Sequence, residues 1–313
     1  MTRRAPTLVV CIGDLMTDVV ALTCEQSAVG SDTRSQVSVT GGGAGANTAA
    51  WLAEIGHPVA FVGRAGDDLQ GRAAVEELRR TGVDVRVVLD PDHRTGACVV
   101  VVASDGARSM FPDAGANAAL SAADLPADLL GPDRPATAPP AHLHLSGYSL
   151  LNQGSRPAAL AALDLARAGG WTVSLDPASA GPLRHTGPDR VLGWLGAVDL
   201  LLANQDEACL LGGRDDPLEA GAALAASGAA GQVVVKLGPA GAAWFAAGGG
   251  ATRVGSVPAE VVDTTGAGDC FAAGFLPVWL AAAGAPDAAA AALHAGCALA
   301  ARVVSRPGAR PHG

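Results

Sequence analysis

The sequence predicts an α/β fold, and two patterns along the chain support this prediction. Short, continuous apolar runs recur, which is typical of strands buried on both faces of a parallel sheet. Segments with helical periodicity lie between these runs, in the order expected of a layered α/β domain. The predicted strands are residues 8–12, 59–62, 142–145, 172–175, 200–203 and 232–236, and the predicted helices are residues 44–54, 71–80, 156–168, 206–211 and 218–226.

Two stretches depart from this alternation. Residues 33–40 alternate polar and apolar side chains, and residues 83–89, 96–104 and 107–111 are strand-like with no helix between them. Half-polar strands favour a small, mainly antiparallel sheet outside the main one. We therefore predict a single α/β domain over residues 1–313 with a β-sheet lid built from about 15–40 and 83–113. The Pro- and Gly-rich tail, residues 306–313, is expected on the surface.

Composition excludes several classes of partner. The formal net charge is −9, with 30 acidic and 21 basic residues, so there is no electrostatic footprint for nucleic acid or an anionic membrane surface. A phosphorylated ligand would have to be held by backbone N–H groups and a metal ion. The apolar run at 8–12 is too short for a signal peptide, and Gly284, Pro286 and Asp287 interrupt the Ala-rich stretch 281–292. We expect a cytoplasmic protein that binds neither nucleic acid nor membrane.

The segment 263–269, Asp-Thr-Thr-Gly-Ala-Gly-Asp, is the most informative in the chain. Gly266, Ala267 and Gly268 leave backbone N–H groups approachable just before an apolar helix predicted over 270–283. A helix N-terminus attracts anions, so this loop is a candidate anion hole for a transferring phosphoryl group. Asp269, in the first helical turn, could accept the proton of an attacking hydroxyl. The simpler interpretation is a glycine-rich turn whose Asp complements the helix dipole.

The chain resembles the ribokinase-like (PfkB) carbohydrate kinases over residues 9–311. Segment 263–269 resembles the family's C-terminal signature, and the glycine run 41–47, continuing to Gly71, resembles its N-terminal signature. The resemblance implies a Rossmann-like domain with a β-sheet lid that closes over a sugar. It also implies ATP-dependent phosphorylation of a primary hydroxyl of a small sugar of the ribose or fructose kind, with Asp269 as general base and Gly266–Gly268 as anion hole.

The same resemblance assigns the remaining candidate residues. Those expected to bind the sugar are Asp14, Asp18, Gly42, Gly43 and Asn47. Those expected to bind ATP are Asn204, Lys236, Gly238, Gly241, Thr264 and His294. Glu207 would act on Mg²⁺ through water, and Asp263 is a candidate ligand of a monovalent cation such as K⁺.

Elementary chemistry is compatible with these assignments but also offers simpler interpretations. Short Asp and Asn side chains beside bare glycine backbone suit sugar hydroxyls, although Asp14 and Asp18 also fit a strand-end turn. Asn204 and Glu207 open a helix after a buried strand, where ligand groups are often placed. A capping box explains that pair equally well. His294 could equally be an ordinary helical histidine.

Departures from the family pattern leave the substrate open. Ala44 stands where typical ribokinases have a Lys, and Ser146-Gly-Tyr148 stands where a ribokinase places a Glu that reaches the sugar. A ribonucleoside kinase of the adenosine or pseudouridine type is therefore an alternative. Two more distant alternatives are a non-catalytic sugar-binding protein and an NAD-dependent oxidoreductase. The oxidoreductase would use the run 41–46, which satisfies G-x-G-x-x-A but follows a half-polar strand.

The lid also bears on assembly. A half-apolar sheet that stands out from a domain leaves one apolar face uncovered. We therefore expect a homodimer formed through the lid.

Overall fold

The computed structural model describes residues 6–25, 30–103, 108–135, 137–196 and 198–311. Within them the chain forms one sheet of nine strands and a second sheet of four. In chain order the strands are Leu8–Ile12 (β1), Met16–Thr23 (β2), Ser35–Gly42 (β3), Val59–Gly66 (β4), Asp84–Asp90 (β5), Gly96–Val102 (β6), Arg108–Asp113 (β7), Ala141–Ser146 (β8), Thr172–Asp176 (β9), Val198–Asn204 (β10), Ala230–Lys236 (β11), Ala242–Ala246 (β12) and Ala251–Val254 (β13).

The large sheet has the order β13-β12-β11-β10-β9-β8-β1-β4-β5. The strands from β11 to β5 in this order run parallel, and β12 and β13 add an antiparallel edge. The predicted central, mostly parallel sheet is thus confirmed. Because parallel strands end at the same edge, the residues that follow β1, β8, β9, β10 and β11 are brought together there.

Helices cover both faces of the large sheet. The strand residues alternate between two cores, so that Val10 and Ile12 point into one and Val9 and Cys11 into the other. The helices are Ala44–Glu54 (α1), Leu69–Arg80 (α2), Gly147–Leu151 (α3), Arg156–Ala168 (α4), Ala180–Thr186 (α5), Pro188–Leu195 (α6), Gln205–Gly212 (α7), Pro217–Ala226 (α8), Ala267–Ala281 (α9) and Ala289–Val304 (α10). Helices α3–α8 pack on the first face, and α1, α2, α9 and α10 pack on the second.

The small sheet, called the lid sheet below, consists of β3, β2, β6 and β7 in that order. Its outer pairs are antiparallel and its central pair, β2 with β6, is parallel. Met16, Val20, Cys98 and Val100 are buried together on one side of it. The predicted lid strands at 96–104 and 107–111 extend partly beyond the described residues, because 104–107 lie outside them.

One part of the predicted lid was wrong. Residues 83–89 were assigned to it, but β5 pairs in parallel with β4 and forms an edge of the large sheet. The helix that makes this pairing possible, α2, precedes β5 and provides the crossover that a parallel pair requires. Strand β5 is half-buried along most of its length because it lies at an edge, and that explains its polar, lid-like sequence.

One helical stretch, Pro286–Val304, is long and apolar enough to cross a membrane by length and composition alone. Its residues Leu293, Cys297 and Val303 are buried in the core that also contains α9. Helices buried inside a domain meet the same length and composition criterion.

Candidate active site

The candidate site lies at the carboxyl edge of the large sheet, against the base of the lid sheet and the N-terminus of α9. Asp14 follows β1, and Ser146, Asp176, Asn204 and Lys236 are the last residues of β8 to β11. All five therefore lie near the same edge. The strand register sets Ser146 beside Asp176 and Asn204 beside Lys236.

Helix α9 begins at Ala267, three residues earlier than predicted, and places the glycine loop directly at its N-terminus. Gly266 is the N-cap, with φ of 75° in the left-handed region. A Cβ on Gly266 would lie 2.6 Å from the Cβ of Ala309, so both conformation and space require glycine here. The N–H groups of a first helical turn have no carbonyl partner within the helix, and this geometry fits the expected anion hole. In this structure the Ala267 N–H donates to the carbonyl oxygen of Thr264, in the preceding loop, at 3.3 Å.

Asp269 is held at this helix start by α1. Its Oδ2 accepts a 2.9 Å hydrogen bond from Nδ2 of Asn47, and its carbonyl oxygen accepts a 3.4 Å bond from the Thr48 hydroxyl. Burial raises the pKa of Asp269 to about 7, with a further upward contribution from Asp176, while Asn47 and Lys236 act in the opposite direction. A carboxylate with a pKa near neutrality is suited to general-base catalysis.

The expected sugar-side residues meet at the base of the lid sheet. Asp18, on β2, lies so close to Gly42 that a Cβ there would be 2.2 Å from the Asp18 Oδ1. Gly43 has φ of 96°, and a Cβ on it would be 2.1 Å from the carbonyl oxygen of Asp14. Burial raises the pKa of Asp14 to about 6 and also that of Asp18 to about 6.

Asn204 and Glu207 form a capping box at the start of α7. Asn204 Oδ1 accepts from the Glu207 N–H at 2.9 Å, and Glu207 Oε2 accepts from the Asn204 N–H at 2.8 Å. Glu207 Oε1 also accepts from Asn204 Nδ2 at 2.6 Å. Burial, followed by the charge of Asp176, raises the pKa of Glu207 to about 7.

Lys236, the last residue of β11, forms an ion pair with Asp176. Its Nζ lies 2.6 Å from Asp176 Oδ2, and 3.1 Å from the point where a Cβ on Gly268 would lie. Burial opposes the ammonium form, but Asp176 and Glu207 outweigh it and raise the pKa of Lys236. A cation is thus fixed beside the glycine loop.

The other expected nucleotide-side residues are two glycines of a turn and two exposed side chains. Gly238 and Gly241 have φ of 58° and 91° and form the turn between β11 and β12. His294, on α10, and Thr264 are both exposed.

Asp263 organises the loop before α9. Its Oδ1 accepts from the N–H and the hydroxyl of Thr265 at 2.8 and 2.7 Å, and its Oδ2 accepts from the N–H of Gly308 at 3.0 Å. The Asp263 carboxylate therefore links the glycine loop to the C-terminal tail.

Residues 306–313 were predicted to lie on the surface, and this prediction was wrong for residues 308–310, whereas Pro307 is exposed and residues 312 and 313 lie outside the described residues. Ala309 and Arg310 are buried, and the carbonyl oxygen of Ala309 accepts a 2.8 Å bond from the indole N–H of Trp51. Arg310 donates to the carbonyl oxygen of Gly42 at 2.6 Å, which places its guanidinium at the site. A polar, Pro-rich tail has no apolar periodicity, so local sequence gives no signal of this insertion.

Sequence reasoning also missed Asp176 and Tyr148. Asp176 ends a predicted buried strand as Asn204 does, so the same signal was present for both. Tyr148, the chain's single tyrosine, follows the end of β8 in α3. Burial, followed by the charge of Asp269, raises the pKa of the Tyr148 phenol to about 12.

The residues present fit a metal ion that is carried mainly by a nucleotide. Among the described residues, no group of three or more His, Cys, Asp or Glu side chains could hold a metal ion by itself. Mg²⁺ commonly keeps several waters and takes its remaining ligands from substrate phosphates and one or two carboxylates. Glu207 and Asp176 are available for such a role beside the Lys236 ammonium.

The glycine run 41–46 does not have the context of a dinucleotide-binding loop. Gly41 and Gly42 belong to strand β3, which lies at an edge of the lid sheet. A dinucleotide fingerprint instead connects a buried strand of the parallel sheet to its helix. The oxidoreductase alternative therefore loses its structural basis.

Comparison with known proteins gives a consistent result. The family model of the pfkB family carbohydrate kinases matches residues 6–312. A fructokinase of Klebsiella pneumoniae is 35% identical over 255 residues, which covers 79% of this chain and 78% of the enzyme. Fructokinase-1 of Oryza sativa subsp. japonica is 31% identical over 244 residues, covering 75% of this chain and 72% of the enzyme.

Solved structures resemble the whole chain. A fructokinase from Vibrio cholerae O395 with fructose, ADP and calcium bound has a TM-score of 0.78 at 26% identity, covering 97% of this chain and 94% of that one. The aminoimidazole riboside kinase of Salmonella enterica, complexed with aminoimidazole riboside and an ATP analog, has a TM-score of 0.77 at 26% identity, covering 97% and 95%.

Proposed function

The chain belongs to the pfkB family of carbohydrate kinases, and we propose that its Asp269 deprotonates a primary hydroxyl of a small sugar of the fructose or ribose kind. As a member of this family the protein is an ATP-dependent sugar kinase. The observation that carries the proposed site is the Asp269 carboxylate. It lies in the first turn of α9, is bonded to Asn47, and has a pKa raised to about 7 by burial.

The proposed reaction uses this carboxylate and the glycine loop before it. The hydroxyl proton moves to Asp269 as the sugar oxygen attacks the γ-phosphorus of ATP, and a new P–O bond forms. The bond between the γ-phosphorus and the β,γ-bridging oxygen breaks, and ADP leaves with that electron pair. Backbone N–H groups of Gly266, Ala267 and Gly268 stabilise the charge on the transferring group. Lys236, whose ammonium lies beside Gly268, contributes positive charge.

In this proposal the sugar and the nucleotide bind on two different flanks of the site. Asp14, Asp18, Asn47 and the glycines at 42 and 43 would bind sugar hydroxyls. The nucleotide would lie along the ends of β10 and β11, contacting Asn204, Lys236, Gly238, Gly241, Thr264 and His294. Closure of the lid sheet over the sugar would exclude water and so limit idle hydrolysis of ATP.

Two ions belong to the proposal. Mg²⁺, held by the ATP phosphates with Glu207 acting through water, would neutralise phosphate charge when bound. A monovalent cation such as K⁺ would bind near the loop of Asp263, where backbone of that loop meets the tail.

A substrate screen tests the proposal. Each candidate sugar, together with adenosine and pseudouridine, is assayed for ADP release with Mg·ATP, and binding is followed by thermal shift. A ligand at a hundred times its Kd adds about 2.7 kcal/mol of stability. We expect a sugar to be phosphorylated, while its deoxy analogue lacking the primary hydroxyl binds without turnover. Turnover of a nucleoside alone would instead favour the ribonucleoside kinase, and tight sugar binding with no turnover the non-catalytic protein.

We also propose a cytoplasmic homodimer formed through the lid sheet. The strand register places Val39, Val19, Val99 and Phe111 in one row across all four strands, on the face opposite Asp18. Val39, Val99 and Phe111 are 66%, 41% and 62% exposed, and a second copy would cover them.

A further inference from the structure

Arg310 is a buried cation whose side chain reaches three different parts of the site. It is 5% exposed. Its Nη2 donates to the carbonyl oxygen of Gly42 at 2.6 Å, its Nε to Oδ1 of Asn47 at 3.2 Å, and its Nη1 to Oε1 of Glu77 at 3.2 Å. The end of the tail is thereby tied to the lid strand β3, to α1 and to α2.

The contact with Asn47 determines which way that amide faces. A guanidinium can only donate hydrogen bonds, so the Asn47 oxygen must point toward Arg310. The Asn47 NH₂ group then points the other way, toward Asp269, where it donates to Oδ2 at 2.9 Å. With the amide reversed, two donors would face each other at Arg310 and two acceptors at Asp269. Arg310 thus selects the orientation that supports the carboxylate.

We propose that Arg310 is a positioning residue for phosphoryl transfer: it fixes the Asn47 amide so that one oxygen of Asp269 is held and the other can meet the substrate hydroxyl. This inference rests on the role proposed above for Asp269. The same guanidinium binds the carbonyl of Gly42, the last residue of β3. It therefore links the position of this lid strand to the orientation of the catalytic base, Asp269. Asp18 packs against that same glycine.

The location of Arg310 makes substitution costly. A Cβ on Gly41 would lie 2.0 Å from Arg310 Nη1, so the guanidinium occupies space that only a glycine at position 41 leaves open. Lys could replace the charge but not the planar set of donors that reaches three acceptors at once. The role of Arg310 therefore depends on its geometry as well as its charge.

The direct test compares Arg310→Gln with Arg306→Gln. Arg306 is in the same tail, but its guanidinium lies 4.6 Å above the Trp51 ring rather than at Asn47. Misplacing a reacting group by about 1 Å can cost about 100-fold. We expect Arg310→Gln to lower kcat by about 10- to 100-fold with little change in the Kd of ATP, and Arg306→Gln to stay within about twofold of wild type.

A double-mutant cycle separates positioning from a general structural role. If Arg310 acts through Asn47, then adding Arg310→Gln to Asn47→Ala should lower kcat by no more than about twofold further. Should Arg310→Gln fail to fold, Arg310→Lys replaces it in the same cycle, and we expect kcat again to fall by about tenfold or more.

The pH profile gives a second readout. Asp269 must be ionised to accept a proton, so activity falls on the acidic side of its pKa. The charged and hydrogen-bonding groups that face it are Asn47, Asp18, Tyr148, Asp176, Lys236 and Arg310. Removing the Arg310 cation takes away positive charge that stabilises the ionised forms of Asp269 and Asp18. The pKa of Asp269 should therefore rise, and the acidic limb of the kcat profile should move to higher pH.

Three results would overturn the inference: wild-type kcat in Arg310→Gln, fully multiplicative losses in the cycle, or an acidic limb that does not move. Wild type and Asp269→Asn are assayed beside these variants. If Asp269→Asn is as active as wild type, the proposed function itself fails. If Asp269→Asn is inactive while Arg310→Gln is unaffected, only the inference about Arg310 fails.

Discussion

At the residue scale, the surroundings of Asp269 act on its charge in both directions. Burial and the neighbouring carboxylates of Asp176 and Asp18 disfavour its ionised form, while Asn47 and Lys236 favour it. The result is a carboxylate whose pKa is raised from 3.8 to about 7. The raised pKa makes Asp269 a stronger base. It also means that the folded protein must bury the charge of the Asp269 carboxylate at alkaline pH.

Asp269→Asn should therefore stabilise the protein at pH 8. A carboxyl whose folded pKa lies above its unfolded value destabilises the fold when ionised, and this penalty disappears once the group is protonated in both states. The gain should be full above pH 7, decline as the pH falls from 7 to 4, and be absent below 4. Thermal unfolding across this range measures it, and an equal melting temperature at pH 8 would contradict the burial of this charge.

Gly266→Ala tests the packing of the glycine loop. Gly266 has φ of 75°, which costs about 1–2 kcal/mol for a residue with a Cβ, and that Cβ would also lie 2.6 Å from Ala309. Gly213→Ala is a matched control, since Gly213 has φ of 61° with nothing within 4 Å of the added Cβ. We expect Gly266→Ala to lose about 1–3 kcal/mol more than the control in denaturant unfolding. Equal losses would mean that the tail does not pack on the loop.

At the scale of elements, the lid sheet is joined to the domain by buried polar contacts. Asn117, just after β7, accepts from the N–H of Leu15 at 2.9 Å and donates to its carbonyl oxygen at 3.1 Å. Asp68 caps α2 and accepts from the N–H of Thr95 at 2.8 Å, immediately before β6. The segments before β2 and after β7 are thereby fixed to each other, and the segment before β6 is fixed to the start of α2.

Asn117→Ala should be strongly destabilising. It leaves the buried N–H and C=O of Leu15 without these partners, and each unsatisfied group costs about 1–3 kcal/mol. Asn152→Ala is the control, since Asn152 accepts a single bond from Gly154 in an exposed turn. We expect a loss of about 2–4 kcal/mol for Asn117→Ala and under about 1 kcal/mol for Asn152→Ala, measured in urea. A loss at Asn117 as small as that at Asn152 would show that the lid is anchored elsewhere.

Sequence reasoning predicted most elements of the large sheet because their apolar runs are local signals. It misassigned β5, since an edge strand of a parallel sheet is half polar in the same way as a lid strand. Asp269 and Asn47 were found because they belong to motifs. Arg310 was not found, because its partners Gly42 and Asn47 are more than 260 positions away in the chain and no local pattern encodes that contact.

At the scale of the whole molecule, the exposed apolar row of Val39, Val99 and Phe111 on the lid sheet predicts that two chains form a dimer. Val39→Lys combined with Phe111→Lys should place two charges in this row and separate the subunits. Wild type should scatter light with twice the mass of the 30.9 kDa chain, and the variant with the mass of one chain. Val257→Lys, at an exposed apolar residue outside the lid sheet, should leave the dimer intact. A monomeric wild type would refute this assembly.

As proposed above, Asp269 is the base in ATP-dependent phosphorylation of a sugar hydroxyl. The most direct measurement is kcat of Asp269→Asn beside wild type on the sugar identified by the screen, with the Kd values of ATP and sugar measured separately. We predict that kcat falls by about 10²- to 10⁴-fold while both Kd values stay within a few-fold of wild type. An Asp269→Asn variant that keeps more than about a tenth of wild-type kcat would show that Asp269 is not the catalytic base.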